Sequence, residues 1–314
     1  MNQPDKLVLD NSARQTFRSC EKKYQLQNIL GLQPNFGSTA LRFGSCWHAI
    51  QEAYYIYVMK HGWPMDEGSK MTALMSALNA GQKEYEKESE GKTFYDDFKN
   101  FNTAAEGFDL YLEFFKDDYK FVEILSTEQA FECPMEPENK VEEKILSKLP
   151  PLTFTGRIDL CLKMDGSNWI NDFKTTGWIL DKVVSQANRS PQFIGYTYAG
   201  KKVLDFDTVG CLGNFVQIGA TKSRVTGNYG KNRFNFRRVP QIYSDADLSA
   251  WKLSFIKTAE NIHRARTEGI FPESFDNCFM YGKCPYLKLC QQNVPVEDLN
   301  TDGFHVEFWD VLED

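Results

Sequence analysis

The sequence predicts an α/β fold in which helices flank a mixed central sheet and a helical insertion interrupts the chain. Three patterns lead to this prediction. Residues 153–176 alternate apolar and polar side chains on both sides of an Asp-Gly pair, which is the strongest short hairpin signal. Residues 208–218 are apolar and β-branched enough for a buried strand. Residues 60–120 are instead helical in pattern, acidic and aromatic, and form the expected insertion.

The composition limits the class of protein. The 314-residue chain has 42% hydrophobic and 25% charged residues, which is ordinary for a globular protein. It lacks both an apolar run of membrane-spanning length and a basic-then-apolar N-terminal signal, so we expect a soluble protein that is not secreted. Eight cysteines without such a signal indicate free thiols or metal ligands in a reducing compartment. The net charge of -7 argues against a generally sticky nucleic-acid binder, although a local basic groove remains compatible with it.

Two helices are predicted before the insertion. Capping residues at 10–12 begin the first, which carries Cys20 on its apolar face. The second begins at about Leu41 and carries His48. Within the insertion, glycines such as Gly81 are expected to break the helices.

The elements around the hairpin follow from similar signals. A strand is predicted from about 121 to 134, where prolines close it. After the hairpin, a helix that begins at a proline places Gln192 and Tyr196 four residues apart, hence on one face. A capping box at 244–247 begins a long helix that Gly269 ends.

The hairpin carries the first candidate site. Asp159 lies on its first strand, and Asp172 and Lys174 share one face of the second. Two acids on paired strands are costly unless a cation neutralises them, so a metal site beside a basic group is predicted. The Asp-x-Lys tripeptide alone carries little weight, because residues 97–99 repeat it in a segment interpreted as solvated surface. A buried salt bridge of the same side chains is the structural alternative.

Such a site suits a hard cation. Mg²⁺ or Mn²⁺ takes oxygen ligands and keeps several waters, so two carboxylates, a backbone carbonyl and one imidazole are enough protein ligands. A metal-bound water has a lowered pKa and can attack phosphorus, while the metal offsets charge on the phosphate oxygens. Lys174 would orient or deprotonate that water, or neutralise the transition state.

The basic segment from Thr221 to Arg238 predicts a DNA-binding surface. It has no acidic residue and interleaves aromatic side chains, a composition that tracks a phosphate backbone and stacks unpaired bases. A solvated basic hairpin is the alternative. The basic residues are Lys222, Arg224, Lys231, Arg233, Arg237 and Arg238. The sequence has no helix-turn-helix signature and no phosphate-binding Walker loop.

The order of six motifs from about Asn11 to Cys290 resembles the PD-(D/E)XK nuclease superfamily. The resemblance is greatest to the RecB-like branch with an iron–sulfur cluster, which includes AddB and the CRISPR-associated exonucleases. It implies a restriction-endonuclease-like fold in one nuclease domain that spans 1–314. The motifs are Cys20 with Tyr24, 44–48, 156–159, 172–176, 192–196 and 284–290.

The resemblance also implies roles for individual residues. Asp159 and Asp172 match the two metal-binding acids, and His48 matches the helical histidine that completes the metal site. Lys174 matches the catalytic lysine. The Gln-x-x-x-Tyr motif at 192–196 matches residues that support the site and touch DNA, Tyr196 among them.

The implied activity is metal-dependent hydrolysis of phosphodiester bonds in DNA. We expect an exonuclease that favours single strands or DNA ends, in the cytoplasm of a bacterial or phage-infected cell, with recombination or CRISPR proteins as partners. Glu128, on the strand before the hairpin, matches an auxiliary acid. Two alternatives stay open: a non-catalytic DNA-binding recombination partner, and a zinc-stapled structural protein in which the carboxylates form salt bridges.

The resemblance further implies a [4Fe-4S] cluster held by Cys20, Cys278, Cys284 and Cys290. The cysteine-rich segment 270–292 would then close onto the N-terminal helix. Thiolates suit iron–sulfur clusters or zinc and do not suit Mg²⁺, so zinc is the alternative occupant of this second, structural site. The other four cysteines are predicted to be buried thiols.

Overall fold

A computed structural model describes residues 6–94, 98–204, 207–220, 229–280 and 282–308. The strands of these residues are β1 (Leu7–Leu9), β2 (Leu32–Pro34), β3 (Val122–Pro134), β4 (Leu152–Met164), β5 (Ser167–Thr176), β6 (Thr208–Gly219), β7 (Arg233–Gln241) and β8 (Phe304–Val306). The α-helices are α1 (Asn11–Ser19), α2 (Glu21–Tyr24), α3 (Thr39–His61), α4 (Glu67–Ser89), α5 (Phe101–Phe114), α6 (Lys140–Leu146), α7 (Leu180–Ala187), α8 (Pro191–Val203), α9 (Asp245–Glu268) and α10 (Leu287–Cys290).

The main sheet is mixed, as predicted. Its strands follow the order β1-β4-β5-β6-β7, and β3 pairs with β4 outside this path. The pairs β1–β4 and β5–β6 are parallel, whereas β4–β5 and β6–β7 are antiparallel. Strands β2 and β8 form a separate antiparallel pair. The predicted α/β class, with a mixed sheet flanked by helices, is confirmed.

The chain divides into two compact units, each built from separate segments. The terminal unit comprises Met1–Phe36, Ala130–Gly156 and Ala246–Asp314. The central unit comprises Gly37–Gln129 and Arg157–Asp245. The predicted nuclease residues all belong to the central unit, and the four cysteines of the predicted cluster all belong to the terminal unit.

The predicted hairpin is formed by β4 and β5. Asp165 and Gly166 both have positive φ values, 50° and 79°, which is the backbone that a two-residue type I′ turn requires. Ser167 already pairs with Met164, so the turn consists of Asp165 and Gly166 alone, whereas the sequence predicts a turn that runs on to Asn168. The register that this turn sets continues to the Leu160–Asn171 pair.

The core of the central unit lies along α3. Phe43, Trp47 and Ile50 are fully buried on one side of this helix. They form one apolar cluster with Leu160 and Phe173 of the hairpin, and helices α4 and α5 contribute to the same cluster. The insertion is therefore part of this core, because its helices cover apolar surface that α3 would otherwise expose to water.

In the terminal unit, aromatic packing and one buried ion pair stand out. Phe154 packs edge-to-face against Trp251 and Phe255 of α9. Lys252 is fully buried and lies 2.9 Å from the Glu142 carboxylate. The ammonium also donates to the Glu136 carbonyl at 2.6 Å, so this buried charge is paired and hydrogen-bonded.

One further prediction concerns the remaining cysteines. The cysteines outside the predicted cluster are buried, as expected, at Cys46, Cys133, Cys161 and Cys211. Among the described residues, every helix is too short or too polar to traverse a bilayer.

Gly81 does not break a helix, and the prediction that it does was wrong. It lies inside α4, where a Cβ would stand 2.2 Å from the Ile50 side chain and 3.3 Å from the Cys46 carbonyl oxygen. The missing side chain lets α4 approach α3 closely. Close helix approach explains this glycine better than chain flexibility does.

Replacing Gly81 with Ala should therefore destabilise the protein. Overpacking costs about 1–3 kcal/mol, and the gain of up to about 1 kcal/mol in helix propensity offsets only part of this. Gly68→Ala in the exposed first turn of α4 is the control, since a Cβ there meets only the Asp66 carboxylate, at 3.2 Å, and it should change stability by less than about 1 kcal/mol. Urea unfolding of both variants measures the difference, and equal stabilities would contradict the close-approach explanation.

Candidate functional site

Asp159 is held in place from two directions. Its Oδ2 accepts a hydrogen bond from the backbone N–H of Phe173 at 2.7 Å. Its Oδ1 lies 3.4 Å from Nδ1 of His48 on α3. The His48 ring also meets the Phe173 ring edge-to-face, with centroids 6.2 Å apart. Strands β4 and β5 and helix α3 thus converge on one carboxylate.

Asp172 and Lys174 form an ion pair beside Asp159. The Lys174 ammonium lies 2.6 Å from Oδ2 of Asp172, whose side chain is fully buried. Within the described residues, neither Asp172 oxygen accepts a hydrogen bond of regular geometry. The Lys174 ammonium offsets the charge of this buried carboxylate, while Oδ1 is left without a hydrogen-bond partner among the described residues.

Glu128 joins this group from β3. One ligand atom each from His48, Glu128 and Asp159 lies within 4.8 Å of the other two. Glu128 has a φ of 45° in the middle of a strand, a conformation that is uncommon for residues other than glycine. Such local irregularity redirects a side chain, and strain of this kind is concentrated at functional sites.

The structural group differs from the metal set implied by the resemblance. That set was His48, Asp159 and Asp172, whereas the structure gathers Glu128 with His48 and Asp159 and places Asp172 against Lys174. Strand alternation could not find Glu128, because its unusual backbone breaks the two-residue period. The resemblance to the superfamily was the one signal that indicated it.

Burial, with a contribution from neighbouring acids, raises the pKa values of the Glu128 and Asp172 carboxyls. Burial raises the pKa of Glu128 to about 8, and the nearby Asp159 and Glu52 carboxylates add to the shift. Burial also raises the pKa of Asp172 to about 6; Lys174 opposes this shift and Asp159 adds to it. Both groups therefore hold protons at pH values where a free carboxyl is ionised.

The remaining three groups favour their charged forms. Burial opposes ionisation of Asp159, but His48, Lys174 and the Phe173 N–H together outweigh it and lower the Asp159 pKa. Burial likewise disfavours charge on His48 and Lys174, yet the neighbouring carboxylates raise both pKa values above their ordinary range. In the absence of a metal, the site thus balances anions with His48, Lys174 and bound protons.

This donor set fits a hard divalent cation. Two carboxylates and an imidazole are ligands that Mg²⁺ and Mn²⁺ accept, with water completing the octahedron. Burial first, and then the neighbouring carboxylates, raise the pKa of Glu128, and a bound cation would favour its ionised form.

Gln192 and Tyr196 hold each other on α8. Nε2 of Gln192 donates to the Tyr196 hydroxyl at 3.0 Å, as the four-residue spacing allows. Tyr196 is 7% exposed, so most of its ring is packed inside the central unit. Their support of the site and the DNA contact of Tyr196 stay predictions.

The predicted basic residues are distributed unevenly. Lys222 and Arg224 lie outside the described residues. Lys231 and Arg233 are exposed. The Arg237 guanidinium lies 2.6 Å from the Asp181 carboxylate at the surface.

Arg238 occupies a different environment. It donates two hydrogen bonds to the Asp118 carboxylate, at 3.1 and 2.8 Å, and its guanidinium stacks 4.3 Å above the Phe115 ring. Both side chains of this ion pair are largely buried. Arg238 is therefore part of a buried ion pair, and its assignment to a DNA-binding surface was wrong.

The four candidate cluster cysteines lie in the terminal unit. Segment 270–292 contacts the end of α1, because the Ser274 N–H lies 3.4 Å from the Cys20 sulfur. The Cys278 thiol lies 3.8 Å from the Ser274 carbonyl, and the Cys284 N–H donates to the Cys278 carbonyl at 2.8 Å. Cys284 and Cys290 pack against a small apolar cluster that includes Tyr286.

Comparison with known proteins identifies the family. Residues 11–291 match the family model of the PD-(D/E)XK nuclease superfamily, and the chain belongs to that superfamily. No curated protein matches the sequence. One similar crystal structure is that of a candidate exonuclease from Eubacterium rectale, with 16% identity, 92% of this chain and 89% of that chain covered, and a TM-score of 0.44. Another is that of SSO0001, with 13% identity, 80% and 86% coverage, and a TM-score of 0.30.

The raised pKa of Glu128 predicts that the metal-free protein loses stability as pH rises from 4.5 to about 8. Across this window the folded protein keeps a proton on Glu128 that the unfolded chain releases, so the free energy of unfolding falls with pH. Glu128→Gln should remove this contribution. It should also reduce the stabilisation that Mn²⁺ gives the wild type.

Thermal unfolding in chelator across the same pH range, and again with Mn²⁺, measures both effects. Glu123→Gln on the exposed side of β3 is the control, since it removes one carboxylate from the same strand. A Glu128→Gln variant with the wild-type pH slope and the wild-type response to Mn²⁺ would contradict the assignment.

Proposed function

We propose that this chain is a metal-dependent deoxyribonuclease that hydrolyses phosphodiester bonds at DNA ends or in unpaired strands. The observation that carries the proposal is the approach of His48, Glu128 and Asp159 to within 4.8 Å, beside the Asp172–Lys174 pair. Membership of a nuclease superfamily gives the reaction class. The charge distribution of this site supports the dependence on metal.

His48, Glu128 and Asp159 would hold Mg²⁺ or Mn²⁺, with Asp172 directed at the same region from β5. The bound ion supplies an activated water and offsets the negative charge that develops on the phosphate. Asp159 is ready for this task, because its pKa is lowered and it is ionised before the metal binds. Glu128 must release its proton, so metal binding and proton release are coupled there.

Lys174 acts as a cation in this proposal. Its pKa lies above the ordinary value despite burial, because Asp172 and Asp159 stabilise the ammonium. An ammonium that stays protonated donates hydrogen bonds and neutralises a phosphate; it does not remove a proton from water. Asp172 contributes by fixing this ammonium at 2.6 Å.

A nucleic-acid strand would reach the site along the basic segment of the central unit. Lys231 and Arg233 are exposed and available for phosphates. Tyr229 belongs to the same segment, and its ring stacks on Phe98 of the insertion with centroids 4.8 Å apart. The insertion and the basic segment thus form adjoining parts of one surface.

Replacing Lys174 or Asp172 with Ala should reduce the rate of DNA cleavage by about 10²–10⁴-fold. The first change removes the ammonium that would neutralise the phosphate, and the second removes the carboxylate that holds this ammonium. Lys163→Ala, an exposed lysine on the same hairpin, is the matched control. Single- and double-stranded DNA labelled at the 5′ or 3′ end, with Mg²⁺ or Mn²⁺, gives rates and polarity. A circular substrate separates exonuclease from endonuclease action.

Wild-type rates in the Asp172→Ala variant would refute the proposal. DNA binding without cleavage by the wild type would instead favour a non-catalytic recombination partner.

We further propose that Cys20, Cys278, Cys284 and Cys290 bind a [4Fe-4S] cluster in the terminal unit. Four thiols fit this group, and the Ser274 N–H beside the Cys20 sulfur provides a hydrogen bond of the kind that tunes such clusters. The bound cluster would stabilise the contact of segment 270–292 with α1.

Cys290→Ser should lower the iron content and the melting temperature of anaerobically purified protein. Cys133→Ala, which removes a buried thiol of the same unit, should retain the iron. Elemental analysis with absorbance spectroscopy measures the occupant. Stoichiometric zinc without iron would overturn the cluster assignment in favour of a zinc staple.

A further inference from the structure

Trp178 is a large aromatic residue that lies at the protein surface. It is 59% exposed, and it is the one exposed tryptophan of the described residues. It follows β5, the strand that carries Asp172 and Lys174, by two residues. Four residues of extended chain span at most about 14 Å, so Trp178 lies within that distance of Lys174.

The local structure fixes this tryptophan in position. The Trp178 backbone N–H donates to the Thr176 hydroxyl at 3.0 Å, which anchors the residue to the end of β5. The Lys182 ammonium lies 4.3 Å from the centroid of the indole ring. Lys182 occupies one side of the ring by a cation–π contact, while the side chain keeps most of its surface open to solvent.

The end of the insertion lies at the same place. The Lys99 ammonium is 4.0 Å from the point where a Cβ on Gly177 would stand. Phe98 packs against the core cluster and stacks on Tyr229, so the interpretation of this segment as a solvated face was wrong for Phe98. Asp97 lies outside the described residues.

A planar ring with one ammonium against its face, and a second ammonium near the adjacent Gly177, matches the chemistry of a single nucleotide. An exposed indole can stack on an unpaired base of any sequence, and Lys182 and Lys99 can neutralise the neighbouring phosphates. A base inside a duplex is already stacked on its neighbours, so it gains no comparable stacking energy from the Trp178 indole. Such an arrangement would bind unpaired strands in preference to paired ones.

We propose that Trp178 stacks on an unpaired base of the substrate strand and thereby selects single-stranded DNA for the metal site. The proposal rests on the nuclease function proposed above and names its substrate class. Lys182 holds the indole from one side and contributes charge. Trp178 is a specificity residue and takes no part in the chemical step.

Binding is tested in full-length protein carrying Asp172→Asn to prevent cleavage. Oligothymidylate should quench tryptophan fluorescence, and a blunt duplex of the same length should quench it much less. Trp178→Phe should bind with most of the affinity but without the quench. Trp178→Ala should bind oligothymidylate roughly 5- to 150-fold more weakly and the duplex nearly unchanged.

The control is Phe275→Ala, which removes an aromatic side chain that is 77% exposed in the terminal unit and should leave both affinities unchanged. Full quenching in Trp178→Phe, or equal losses for single strand and duplex in Trp178→Ala, would overturn the inference.

Cleavage rates with Asp172 intact separate this inference from the proposed function. Trp178→Ala should raise KM for single-stranded DNA while kcat changes little, since the indole lies outside the reacting groups. A wild type that cleaves single strands with a KM unchanged in Trp178→Ala would overturn the inference and leave the nuclease function standing. A wild type that binds through Trp178 and cleaves no DNA would overturn the nuclease function alone.

Discussion

The antiparallel pairing of β4 with β5 is the constraint on which the site depends. It brings Asp159 to the backbone N–H of Phe173, and so sets one acid beside the strand that carries the other. Carboxylates this close repel one another, and the repulsion is balanced locally by His48 and Lys174. The fold thus gathers several carboxyls at one point, where a divalent ion could take the place of the protons and of the His48 charge that balance them.

Much of the fold could be predicted because its signals are local. The Asp165-Gly166 turn and the alternation around it specified the hairpin, since a positive φ at both turn positions fits few other residues. Helix starts were equally legible. The Asp10 carboxylate accepts from the Ala13 N–H, and the Ser190 hydroxyl accepts from the Phe193 N–H.

The features that escaped prediction depend on partners far away in sequence or on an irregular backbone. Arg238 was assigned to a basic surface. Its partner Asp118 is 120 residues away in the sequence, so no local pattern predicts their ion pair. Helix propensity describes a single helix, so Gly81 predicted a helix break. The residue is small because the neighbouring helix α3 packs closely against it. The face of β3 on which Glu128 lies could not be counted from the sequence, because its backbone departs from the two-residue period of a strand.

The path of the chain has a consequence for how the protein tolerates shortening. Both chain ends belong to the terminal unit, and the central unit is made of two internal segments. Cleavage by a protease near either end therefore removes residues of the terminal unit while every metal-ligand candidate stays on the remaining polypeptide. The thiols have no such protection, because Cys20 and Cys290 lie on the outer segments that trimming reaches first.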